Sequence, residues 1–242
     1  MLTVHHLGTS QSERIVWLCE ELEIVHRLVR YERDPVTLLS PPYRALYPFG
    51  TAPVITDGAL VLGESGAIVD YIIATYGAGR LGGNPEMPNY ADYLYWFHFA
   101  NGTLMPALNL DMITGAIGIS RDAETLAAWR NWWRAHPIRR RPVSDEELAR
   151  MLSALRNAWH ERPVNAYKLI EHHLQSHAYF AGAEFSAADI MMVFPLTTMR
   201  EFDPRDLSPY PNIRNYLRRI GARAAYQRAM ARAEPDLKPL LD

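Results

Sequence analysis

At 242 residues, with 48% hydrophobic and 21% charged residues, the chain has the composition of a soluble globular protein with one large or two small domains, long enough to bury sizeable cores. A net charge of −2 argues against a general nucleic-acid or anionic-membrane binder, both of which need a strong positive excess. Cys19 is the one cysteine, which excludes an internal disulfide and a cysteine-rich zinc site; with no basic leader before an apolar block and no apolar run of about 18 residues, the cytoplasm is the expected location.

In chain order, Leu2 to His6 alternates like a short strand and is broken by Gly8-Thr9. Ser10 and Glu13 then have capping-box spacing ahead of Ile15, Leu18, Cys19 and Leu22, which share one helical face. Leu28 to Tyr31 reads as a second strand, so the segment forms a βαβ unit with a right-handed crossover. Four prolines between Pro35 and Pro48 leave room for a loop with one irregular helical turn. Val54 to Thr56 and Ala59 to Leu62 flank Asp57-Gly58, a pair that favours a tight hairpin. Pro53 sits at the start of the first hairpin strand, where its missing N–H costs no ladder bond; the sequence leaves cis or trans open. Ser65 stands at the N-cap position of a helix carrying Ile68, Tyr71, Ile72 and Thr75.

Glycines 77, 79, 82 and 83 with Pro85 and Pro88 mark a linker. The expected division is residues 1–76 as a small α/β domain, 77–88 as linker and 89–242 as an all-helical domain. In the second part the helical patterns run through Tyr93, Phe97, Ala100 and Leu104, and through Leu148, Met151, Leu152, Leu155 and Trp159, the latter opened by a capping box of Ser144 and Glu147. Ser186 and Asp189 form another, with Phe185 in the staple position.

The run Ala52-Pro53-Val54-Ile55, an Asp-Gly hairpin and Glu64-Ser65-Gly66-Ala67-Ile68 at a helix start resembles the glutathione-binding half of the cytosolic glutathione transferases, serine-type and theta-like. The stretch 179–190 is similar to the capping box of that family's sixth helix, and 210–217 with 223–229 resemble its last two helices, although the usual Arg-Pro-Ala is Arg223-Ala224-Ala225 here. The resemblance implies a thioredoxin-like N-terminal domain followed by an all-α C-terminal domain. It also implies a cis Pro53, an Ala52 backbone that pairs with the cysteinyl part of glutathione, and a Glu64-Ser65 pair that holds the γ-glutamyl end. Physically, the unpaired N–H groups of a helix start receive a carboxylate while an adjacent acid meets an ammonium, which suits a zwitterion; a plain cap beside a solvated charge is the other reading of the same pair.

Glutathione chemistry requires a thiolate, and a thiol of pKa about 8.5 is only a few per cent ionised at neutral pH. A donating hydroxyl, worth about 1.5–3 kcal/mol, and a helix N-terminus, worth about 0.3–1 kcal/mol, lower that pKa. The family places the activating group just after the first strand. Here the segment is Thr9-Ser10-Gln11-Ser12, making Ser10 the first candidate, with Ser12, Thr9 or a backbone N–H as alternatives and helix capping as the competing role. Arg14 is either an orienting group near Ser10 or a surface charge. Cys19 falls in the apolar stripe, and cysteine chemistry is not expected of it. The adjacent pairs His5-His6 and His172-His173 point to different faces and do not suggest a shared metal.

The implied activity is attack of the glutathione thiolate, a co-substrate, on a hydrophobic small-molecule electrophile in a pocket between the domains, with no metal. A glutathione-dependent dehalogenase, etherase, isomerase or peroxidase of the same fold, or a non-catalytic glutathione-binding protein, is equally compatible with the fold. The family further implies a homodimer and no nucleic-acid or membrane partner. The segment Ile119 to Pro163 is long for the family and carries Trp129, Trp132, Trp133 and Arg139 to Arg141; packing of an extra helix is preferred over a nucleic-acid surface because no wider basic excess supports one.

Overall fold

A computed structural model describes residues 1–117 and 144–242, together with 127, 128, 130, 131 and 135 between them. Trp129, Trp132, Trp133 and Arg139 to Arg141 lie outside the described residues.

The N-terminal part runs β1 (Thr3–Leu7), α1 (Glu13–Glu21), β2 (Arg27–Tyr31), α2 (Pro41–Arg44), β3 (Val54–Asp57), β4 (Leu60–Gly63) and α3 (Ser65–Thr75). The strands form one mixed sheet in the order β2-β1-β3-β4. β1 runs parallel to β2, with Val4 opposite Leu28, and antiparallel to β3, with His5 opposite Val54. Alternation sends Val4 to one face, into a core with Ile15, Leu18 and Ile68 of α1 and α3, and Leu7 to the other, where it packs with Tyr43 of α2 and Val54. This is the thioredoxin-like arrangement the resemblance implies.

The hairpin differs from expectation by one residue. Asp57 pairs with Leu60 and the turn is Gly58-Ala59, with Gly58 at φ 59° and open space where a Cβ would stand. Asp57 is retained in the strand because its carboxylate accepts from the Tyr71 hydroxyl at 3.0 Å and from the Tyr76 hydroxyl, and pairs with the N-terminal ammonium at 3.4 Å.

Beyond Tyr76 the described residues contain only helices, turns and the isolated Tyr179–Gly182 bridge: α4 (Tyr90–Phe99), a π turn (Ala100–Leu104), α5 (Met105–Ile117), α6 (Asp145–His173), α7 (Ala187–Leu196), a 3-10 turn (Thr198–Glu201), α8 (Pro211–Gly221) and α9 (Ala224–Ala233). Every residue of α7 is buried, Asp189 being the one charged group among apolar ones, and the helix packs on α4, α1 and α3. Both capping boxes expected in this helical part form. Ser144 Oγ accepts from the Glu147 N–H at 3.1 Å, and Asp189 accepts from the Ser186 N–H at 2.9 Å. The Asp189 carboxylate also takes the Phe180 N–H and the Tyr216 hydroxyl, at 3.0 and 3.1 Å, so the box ties α7 to α8.

α9 closes the molecule onto the first domain. It packs along α1, where Glu21 pairs with Arg223 at 2.6 Å and Glu20 with Arg228 at 2.9 Å and with Arg232. The chain leaving α9 therefore delivers Glu234 to the loop between β1 and α1.

Candidate functional site

The β1–α1 loop is built from buried hydroxyls. Ser10 donates to the Leu7 carbonyl at 2.6 Å and lies 2.6 Å from Ser12 Oγ, while Ser12 Oγ accepts the Leu7 N–H at 3.1 Å and lies 2.8 Å from His6 Nδ1. The expected Ser10–Glu13 capping box does not form. The helix starts at Glu13 after Ser12, with no side-chain cap, and the Glu13 side chain is buried and accepts from Thr198 Oγ1 at 2.7 Å. The reason is tertiary: α7 and the turn after it cover Glu13, so its carboxyl is spent on Thr198, and burial pushes its pKa up to about 8.

Ser10, Thr9 and Ala52 line one cavity of about 480 Å³. Its polar wall is Thr9, Ser10, Gln11 and Thr51, with Arg33, which donates to the carbonyls of Gly8 and Thr9 at 2.8 and 3.0 Å. Leu7, Leu38 and Leu39 complete that side, and the helical part supplies a mainly apolar wall: Met105 and Met112 of α5 with Asn109 between them, Phe194 of α7, then Met199 and Phe202. The Ala52–Pro53 peptide bond is cis and Pro53 is buried.

Glu64 lies elsewhere. It is exposed and, with Gly66, Asp70, His98 and Asn101, lines a second cavity of about 320 Å³ between α3 and α4. The predicted N-cap also shifts: Glu64 occupies the cap position at φ 71°, which turns the chain out of β4, so helical geometry begins at Ser65 itself. Ser65 is thus the first helical residue, buried, with its N–H among the unpaired donors of the helix start.

Arg14 joins the two cavities. It is 1% exposed and donates to Gln11 on the first cavity, to Asn101 Oδ1 on the second at 2.8 Å, and to Ser65 Oγ at 3.5 Å. Its Nε and Nη2 are buried without partners, and burial lowers its pKa to about 9, which keeps it cationic at neutral pH. Of the two readings of Arg14, the surface charge is thereby removed. Cys19 is fully buried and burial pushes its thiol up to about 12, an inert group. His5 and His6 do part to opposite faces: His5 bonds Tyr31 and Thr56, His6 bonds Ser12 and Glu234. Among the described residues no three metal-binding side chains come together and no helix is long and apolar enough to cross a membrane.

Sequence reasoning missed His6, Glu234, Arg33 and the methionine-rich wall. His6 carried a signal, since alternation places it on the buried Val4 face, where an imidazole needs partners. Glu234 carried none, lying 228 positions from its partner.

Residues 5–84 match the family model described as "Glutathione S-transferase, N-terminal domain", and residues 144–224 match "Glutathione S-transferase, C-terminal domain". Glutathione S-transferase 3 of Schizosaccharomyces pombe is 27% identical over 241 residues, covering 97% of this chain and 88% of that protein. Glutathione S-transferase 1 of Saccharomyces cerevisiae is 25% identical, covering 96% and 95%. Among solved structures, a glutathione S-transferase from Actinobacillus pleuropneumoniae superposes with a TM-score of 0.71 at 25% identity, over 97% of this chain and 93% of the other. A theta-class enzyme from Xanthomonas axonopodis with glutathione bound gives 0.60 at 24% identity, over 94% and 96%, and shares the fold.

Proposed function

The chain belongs to the glutathione S-transferase family, and on that premise we propose that it activates the thiol of glutathione for attack on a hydrophobic electrophile. The observation that carries this reading is the two-walled cavity: hydroxyls, the Gln11 amide and Arg33 among three leucines on the side of the sheet, and methionines and phenylalanines with one amide, Asn109, on the side of α5 and α7. The first wall suits a polar peptide and the second an apolar molecule of variable shape, since methionine adapts its packing.

In this reading Ser10 is the activating hydroxyl, the Ala52 backbone beside Pro53 holds the cysteinyl part, and Glu64 with Ser65 holds the γ-glutamyl end. Arg14, cationic at neutral pH and 3.5 Å from Ser65 Oγ through Nη1, puts a positive charge behind that end and supports a carboxylate there. Titration calorimetry with reduced glutathione tests it: wild type binds at or below millimolar concentration, and Glu64→Ala and Ser65→Ala each weaken binding about tenfold, the loss of one charge-assisted contact. Absence of heat at millimolar glutathione would remove the assignment. The likeness to a probable maleylacetoacetate isomerase of Vibrio cholerae, 26% identical over 92% of this chain and 91% of that protein, favours one second reading, a glutathione-dependent isomerase. Regeneration of glutathione after turnover, against its consumption, separates the two.

The protein acts as a two-fold homodimer in the cytoplasm, where a thiol substrate stays reduced. Light scattering should return twice the 27.6 kDa chain mass at micromolar concentration, and a monomer would exclude the dimer.

A further inference from the structure

Four contacts in series run through the β1–α1 loop, and the series ends in an acceptor on both sides. Glu234 Oε1 lies 2.9 Å from His6 Nε2, His6 Nδ1 lies 2.8 Å from Ser12 Oγ, Ser12 Oγ lies 2.6 Å from Ser10 Oγ, and Ser10 Oγ lies 2.6 Å from the Leu7 carbonyl oxygen. His6 and Ser12 are fully buried, and Ser10 and Glu234 are 5% and 7% exposed. At these distances and this burial each contact needs a proton between its two atoms.

The protons can be counted. Four contacts need four, and a neutral His6 with two serines supplies three, because the Glu234 carboxylate and the Leu7 carbonyl donate nothing. One contact would then face lone pair against lone pair. The fourth proton therefore falls to the His6–Glu234 pair, and lodged on His6 Nε2 it makes an imidazolium against a carboxylate. Ser12 Oγ then accepts from His6 and from the Leu7 N–H and donates to Ser10, which uses its full capacity.

We infer that His6, held as an imidazolium by Glu234, acts through Ser12 to turn the Ser10 hydroxyl proton outward, to the Leu7 carbonyl in the free protein and to the sulfur of bound glutathione. This rests on the reading of Ser10 as the activating hydroxyl. With a neutral His6, Ser12 O–H turns to Nδ1, Ser10 O–H turns inward to Ser12, and the sulfur loses its donor. His6 and Glu234 are therefore positioning residues. Glu234 also accepts the Thr9 N–H and lies in the fields of Arg33 after β2 and of Glu13 on α1. Glu13 beside it is pushed up to about 8 by burial, and Arg14 is lowered to about 9 by the same cause; the contact to His6 is made by Glu234 alone of these groups.

Nitrogen-15 NMR of the histidine rings in the full-length protein reads the fourth proton directly. At pH 7 both ring nitrogens of His6 are expected to carry hydrogen, and a neutral single tautomer would overturn the inference even if no variant folds. Thiolate absorbance of bound glutathione against pH reads the consequence. Glu234→Gln and His6→Leu should raise the bound-thiol pKa by about 0.5–1 unit, three- to tenfold less thiolate on the acid side of the titration. His6→Asn, whose amide donates to Ser12 at every pH, should restore it. If Glu234→Gln and His6→Leu lower the melting temperature and leave the bound thiol unmoved while Ser10→Ala moves it, the relay is structural and this inference fails alone. If Ser10→Ala also leaves it unmoved, the assignment of Ser10 fails, and the relay's role toward the thiol with it.

Discussion

Ser10-Gln11-Ser12-Glu13 and Ser186-Ala187-Ala188-Asp189 place a serine three residues before an acid at the start of a helix, and the fold treats them in opposite ways. At Ser186 the reciprocal bonds form and the acid adds two long-range partners, Phe180 and Tyr216. At Ser10 no side chain caps the helix: the two hydroxyls turn toward His6 and Leu7, and the acid turns toward Thr198. The difference comes from what covers each site. Asp189 faces backbone N–H groups that have no other acceptor, whereas Ser10 faces an open cavity and Glu13 faces α7 and the turn that follows it. A spacing that satisfies a helix start is thus free for chemistry where the helix start is left to the backbone.

Breaking the Ser186 side of this comparison should have the largest effect. Asp189→Ala removes the acceptor of two backbone N–H groups and one phenol, all buried, and should cost about 3–5 kcal/mol in denaturant unfolding. The bound-thiol titration should not move, because the box lies outside both cavities. A loss under about 1 kcal/mol would mean that water replaces these bonds.

The Ser10 side is sharpened by pH. Burial raises Glu13 from an ordinary value of 4.5 to about 8, so between those limits the native state holds a proton that the unfolded chain has released. Stability must then fall as pH rises from about 4.5 to about 8 and level off above it. Asp189, raised to about 6 by burial against its hydrogen bonds, adds to the same slope at the acid end. Glu13→Gln keeps an acceptor for Thr198 and removes the titration, so it should be more stable than wild type by on the order of 2–4 kcal/mol at pH 8–9, with the gap closing toward pH 5. Parallel stability curves for the two proteins would show that Glu13 does not titrate in this window.

These two sites also show what sequence reveals. Periodicity and caps located the strands, the hairpin to within one residue, and both capping boxes of the helical part, because each depends on neighbours within a few positions. The resemblance named Ala52, Pro53, Glu64 and Ser65 as one site; the fold puts Ala52 on one cavity and Glu64 on another, with Arg14 between them bonded to Ser65 and Asn101. Ser10 was legible as a candidate and its partners were not. Whether a serine caps or serves a cavity is decided by side chains that arrive from β1, from the turn after α7 and from the end of α9, the last of them reaching His6 across 228 positions.

The smallest effect belongs to the third serine–acid pair, Ser144 and Glu147, which forms the same reciprocal bonds at an exposed helix start. There the N–H released by Ser144→Ala meets water instead of a buried void, so the cost should be about 0.5–1 kcal/mol, the low end for a lost cap. Charge works in the same direction, since Asp145, Glu146 and Glu147 in the first turn of α6 favour the positive end of the helix whether or not the hydroxyl is present. Denaturant unfolding of Ser144→Ala beside Ser186→Ala gives the contrast in one experiment. The buried serine should cost more, and equal losses would show that burial is not what separates the two boxes.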